Sequence, residues 1–118
     1  MSNPSILDPE TIETLKSLNP DDNGEFLREI IGIFLEDTPQ RIAELDESLL
    51  TGERNKFIRA AHSIKGSSAN MGVLMLRATA EELEHLGKEK PLSELAPLVA
   101  TLKQDFSVAK EELSNLKT

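Results

Sequence analysis

One of the chain's two histidines, His62, lies in the run AAHSIKGSSANMG over 60–72, three residues before Lys65 and four before Gly66. On a helix advancing about 100° per residue, a stripe centred on Ala61 leaves His62 at its edge. Gly66 follows one turn later and Ala69 a further turn on. A glycine inside a helix costs about 1 kcal/mol relative to alanine, so something should offset it. Here the absent Cβ clears a notch beside the imidazole, while Lys65 stands close enough to meet an anion attached to the ring. A free imidazole is largely neutral near pH 7 and can attack phosphorus. Phosphoryl transfer needs in-line access and positive charge near the equatorial oxygens more than an enclosed pocket. The phosphoryl group is therefore the expected cargo. The same residues also fit a hydrogen-bonded structural histidine near a core.

Charge points to the same segment. Between 54 and 77 there are five basic residues, Arg54, Lys56, Arg59, Lys65 and Arg77, and no acid. The rest of the chain carries eight basic and 21 acidic residues, a net of −13. A positive island on an acidic protein suits a phosphoryl group or an acidic partner, and it equally suits a solvated helix face.

Composition excludes several classes. The 118 residues amount to one domain, with a net charge of −8, four Phe, no Trp or Tyr and no Cys. Disulfides, zinc–cysteine sites and thiol catalysis are thus ruled out. Nucleic acid and anionic membranes are not expected as partners, since both call for a basic surplus. The start of the chain is acidic and proline-bearing rather than basic and apolar, so no signal peptide is expected, and the apolar stretch at 30–35 is too short to span a bilayer. A cytoplasmic protein is the expectation, and the Met1 start leaves open both a complete small protein and a fragment of a larger kinase. His85 lies 23 residues from His62 without a His-x-x-x-His spacing, which disfavours a zinc site and leaves it a surface or helix-end residue. Gly87-Lys88 lacks the upstream glycine of a phosphate-binding loop, so phosphate should come from a protein and not from a nucleotide.

The elements that must position His62 are all helical, because apolar residues recur at spacings of three and four and no alternating strand pattern occurs. A short first helix is signalled by Asp8 as N-cap and Pro9 at its first position, and a turn at 19–24 ends it. A second helix is expected over 25–37, stopped by Thr38-Pro39. A third carries Ile42, Leu45 and Leu49 to the Thr51-Gly52 break. The fourth, from about 53 to Gly72, bears the histidine. A fifth runs over 73–85 and is ended by Gly87. The sixth, expected to be the longest, bears Leu95, Leu98, Leu102, Phe106, Ala109, Leu113 and Leu116, with Pro97 near its start. Short connections imply antiparallel neighbours. The expected architecture is an all-α, up-down four-helix bundle formed by helices two to five or three to six. The N-terminal helix covers one end, and 1–7 forms a loose tail.

The run HSIKGSSANMG at 62–72 resembles the signature of the histidine-containing phosphotransfer (HPt) domain. FLREIIGIFLED, TPQRIAEL and LEHLG fall where that family places them, so the resemblance covers nearly the whole chain. It implies a phosphocarrier of multistep two-component signalling, without enzymatic activity of its own, that takes a phosphoryl group from a receiver-domain aspartate and yields it to another receiver. By position, His62 would be phosphorylated, Lys65 would hold the phosphoryl group and Gly66 would give clearance. Gly72 would form the turn into the next helix, while Ser67 and Ser68 match packing positions. Glu84 falls where the family often has a Gln or Glu that hydrogen-bonds the ring, accepting from Nδ1 and leaving Nε2 as nucleophile; the alternative for this residue is a solvated surface acid. No cofactor is implied, Mg²⁺ belonging to the receiver's acidic pocket. The implied partners are receiver domains and a hybrid sensor histidine kinase, and the chain is expected to be a monomer. The alternative is a helical module that binds a partner through the same surface without phosphorylation.

Overall fold

Asp8 and Pro9 open the first helix, α1 (Pro9–Ser17), as their types require. In the computed structural model, which describes residues 7–18, 21 and 24–116, the Asp8 carboxylate accepts from the Glu10 N–H at 3.2 Å and from the Thr11 hydroxyl at 2.8 Å. This closes the helix start. Four long helices follow: α2 (Glu25–Thr51), α3 (Arg54–Met71), α4 (Leu74–Glu89) and, after a 3₁₀ turn at Leu92–Leu95, α5 (Ala96–Ser114). They form a four-helix bundle with an added N-terminal helix, as expected, but neither from helices two to five nor from three to six as counted in the sequence, since the expected second and third helices together make α2. Most of the expected turn at 19–24 lies outside the described residues.

Three expectations about the elements are corrected. The helices expected on either side of Thr38-Pro39 are one helix, α2, which makes it and not the last helix the longest. The reason is packing: Leu27, Ile31, Phe34, Thr38, Ile42, Leu45 and Ser48 are all buried and continue one stripe through the proline. Pro39 itself is exposed. It has no N–H for the Leu35 carbonyl, but on the solvent side water can satisfy that group, and the unbroken apolar face outweighs the local cost. Gly87 does not end α4, which continues to Glu89. A Cβ on this buried glycine would meet the Phe57 ring at 3.0 and 3.2 Å, so its bareness lets α3 and α4 approach closely. The Arg54 guanidinium donates to the Gly87 carbonyl and, at 2.8 Å, to that of Lys90, serving the end of α4 from the start of α3. Finally, Leu7 is not part of a loose tail. It is buried and pairs with Val73 in an antiparallel bridge, beside an Asp8 N–H to Gly72 carbonyl bond of 2.7 Å.

That bridge fixes the tip of the α3–α4 hairpin. Gly72 caps α3 with φ 72°, and a Cβ there would lie 2.8 Å from that of Thr11 on α1. On the far side, α5 is joined to α4 by the Thr79 hydroxyl, which donates to Asp105 at 2.5 Å, and to α2 by Lys103–Asp46 at 2.9 Å and a tilted Phe34–Phe106 pair. The core runs through all four helices, with Phe57, Leu45, Ile64, Leu76, Leu83 and Leu102 fully buried. The α3–α4 pair is therefore held rigidly at its tip and along its inner face, leaving its outer face as a firm platform.

Candidate functional site

Helix α3 buries Phe57, Ala60, Ala61, Ile64 and Ser68, a spacing that turns His62 outward at the margin of the core. Its side chain is 66 % exposed. Helix α4 buries Leu76, Ala80 and Leu83, which turns the adjacent Glu84 toward α3. The two meet: Nδ1 of His62 lies 2.8 Å from Glu84 Oε2. The other carboxylate oxygen, Oε1, accepts from Lys65 Nζ at 2.7 Å. Glu84, only 13 % exposed, thus bridges the imidazole and the ammonium.

Burial would push the Glu84 carboxyl up, but the hydrogen bonds from Lys65 and His62, together with their charges, prevail and hold it below its ordinary value of 4.5. An ionised carboxylate only accepts, so a neutral imidazole bound to it carries its proton on Nδ1. Nε2 then keeps its lone pair, on a ring open to solvent. The lowered carboxyl also links stability to pH. A group whose value falls on folding stabilises the fold above its unfolded value, and that contribution is lost as pH drops through the folded one. Urea midpoints measured from about pH 6 to about pH 2 should therefore fall less steeply below 4.5 for Glu84→Gln than for the parent chain. Equal slopes would show that the bridge contributes nothing.

The notch anticipated at Gly66 is present. A Cβ built there meets no heavy atom within 4 Å, so no contact among the described residues requires a glycine at this exposed position. Ala69, the next small residue along the ridge, is also exposed. The four residues singled out in the sequence, His62, Lys65, Gly66 and Glu84, thus lie together on one face of the α3–α4 pair. Ser68 is buried, and the Ser67 hydroxyl bonds the Ile64 carbonyl at 3.3 Å, in keeping with packing positions. His85 is exposed and pairs with Glu89 at 3.2 Å, as a helix-end surface residue would. What the sequence did not reveal is the resting partner of Lys65. Its ammonium is engaged by Glu84, and only a contact between helices could disclose that. Among the described residues no group of three or more His, Cys, Asp or Glu could hold a metal ion, and no helix is long and apolar enough to cross a membrane.

The family model described as Hpt domain matches residues 29–117, which takes in α3, α4 and every residue of this constellation. The chain belongs to the Hpt domain family. Solved structures share its fold. The histidine-containing phosphotransfer protein B of Pseudomonas aeruginosa superposes with a TM-score of 0.87 at 23 % identity, over 98 % of this chain and 96 % of that one. A histidine-containing phosphotransfer protein from maize gives 0.84 at 23 % identity, over 94 % and 82 %. The HPT domain of a sensor hybrid histidine kinase from Shewanella gives 0.72 at 16 % identity, over 94 % and 92 %. In sequence, the chain is 28 % identical over 82 residues to the multistep phosphorelay regulator 1 of Schizosaccharomyces pombe. That match covers 70 % of this chain and 28 % of the length of that regulator.

Proposed function

We propose that His62 of this Hpt domain accepts a phosphoryl group from the aspartyl phosphate of one receiver domain and passes it to the aspartate of another. The observation that carries this reading is the exposed ring held by Glu84 through Nδ1, which leaves Nε2 to face an approaching partner. In the forward step the Nε2 lone pair forms the N–P bond as the P–O bond to the aspartyl carboxylate breaks in line, and the freed carboxylate stays on the receiver. The ring gains positive charge, and its Nδ1–H remains on the Glu84 carboxylate, which balances that charge. Lys65 exchanges Glu84 Oε1 for the phosphoryl oxygens. Gly66 admits the partner's loop beside the ring. The return step reverses these bonds on the second receiver.

Mg²⁺ would be supplied by the receiver's acidic pocket, and the chain acts as a carrier without a nucleotide site of its own. Receiver domains and a hybrid sensor histidine kinase would be the partners, met in the cytoplasm by a monomeric chain. The test is incubation with a phosphorylated receiver, followed by gel analysis of the chain. Label that survives alkali and is lost in acid identifies a phosphoramidate. Absence of label with every receiver of the source organism would leave a binding module that docks without chemistry.

A further inference from the structure

The acid-free basic segment divides into engaged and unengaged cations. Arg54 serves the carbonyls at the end of α4, Lys56 pairs with Glu47, and Lys65 is held by Glu84. Arg59 and Arg77 are exposed and make no side-chain hydrogen bond or ion pair among the described residues. The chain has 21 carboxylates, so these two guanidiniums are not unpaired for want of acids.

Their placement is not scattered. Arg59 precedes His62 by three residues on α3, which puts it about 4.5 Å along the helix axis on the same side of the ring. Arg77 precedes Glu84 by seven residues on α4, two turns along one face, so it shares the face that Glu84 turns toward His62. Because α3 and α4 run antiparallel, Arg77 is displaced from the level of the imidazole by about 10.5 Å along the helix axis in the opposite direction, near the level of Ala69. The two free cations bracket the ring and the bare ridge of Gly66. Beyond that ridge the protein is strongly negative, which repels an acidic partner at long range. Arg59, which shares a hollow with Glu44, and Arg77, one turn before Glu81, engage neither acid in an ion pair and so offset that field locally, within about one Debye length of 8 to 10 Å.

We infer that Arg59 and Arg77 form a two-point electrostatic clamp for carboxylates on the acidic rim of the docking receiver, setting where its aspartate comes to rest over Nε2. This rests on the phosphotransfer reading above. It moves the docking charge from Lys65, which is occupied at rest, to two residues outside the signature.

The test is the rate of transfer from a phosphorylated receiver, measured against receiver concentration and against salt from about 0.02 to about 0.5 M. For the parent chain the second-order rate constant should fall with salt. Arg59→Glu and Arg77→Glu should each lower it about tenfold at low salt and flatten the salt dependence, with most of the loss appearing as a higher half-saturating receiver concentration. Arg59→Lys and Arg77→Lys should restore it. Lys110→Glu, an equal change of net charge at an exposed position on α5, should leave it within about twofold. Unchanged rates in both arginine reversals, or an equal loss in Lys110→Glu, would overturn the clamp. Failure of the parent chain to take up label at all would overturn the phosphotransfer reading, and the clamp with it.

Discussion

A chain carrying His62→Gln is expected to take up no phosphoryl group from any receiver that labels the parent, a loss of at least about a thousandfold, while its stability stays within about 0.5 kcal/mol. The two halves of this expectation have separate causes. Chemistry is lost because the only other histidine, His85, offers no second route: its Nε2 is paired with Glu89, and four residues on, where His62 has Gly66, it has that same glutamate. Stability is kept because the His62 ring is 66 % exposed and contributes little burial. Its one hydrogen bond can be replaced by the glutamine amide donating to Glu84. Label persisting in this variant, or moving to His85, would remove His62 from the reaction. Label lost together with a large drop in the urea midpoint would show instead that the imidazole supports the fold.

The sequence yields the contents of the site more readily than the boundaries of its helices, and the physical reasons differ. His62, Lys65 and Gly66 lie within five residues on one helix, so helical period alone brings them together. Glu84 does not follow from period. It stands 22 residues away on another helix, and only family resemblance singled it out beforehand. The bridge from its second oxygen to Lys65 is a tertiary contact that neither spacing nor resemblance disclosed. Helix ends failed where a local rule met a longer-range one. Pro39 should stop a helix, but seven buried positions in register hold α2 together across it. Gly87 should end one, but its missing Cβ serves the Phe57 ring instead. Leu7 has too little sequence around it to form an element, and it gains its place through the bridge to Val73.

Gly66 is the residue at which fold and function ask for opposite things. A larger side chain there should therefore improve one and damage the other. Gly66→Leu is expected to raise stability by about 0.5 to 1 kcal/mol, because helix propensity favours leucine by that amount. A Cβ at this position also meets nothing within 4 Å that would resist it. Transfer to His62 should fall about a hundredfold, since the added side chain occupies the space through which a receiver loop reaches Nε2, and a misplacement of about 1 Å in an in-line reaction costs that much. Gly66→Ala should give the same signs with smaller size, about tenfold in transfer. Paired measurement of urea midpoints and transfer rates checks both together. A mutation that merely damaged the protein would lower the two in parallel, whereas opposite movement means that the open space serves a visitor and not the chain. Equal transfer rates in the parent chain and Gly66→Leu would show that no partner enters there. The glycine would then be left without a reason, since among the described residues no contact of the free chain requires it.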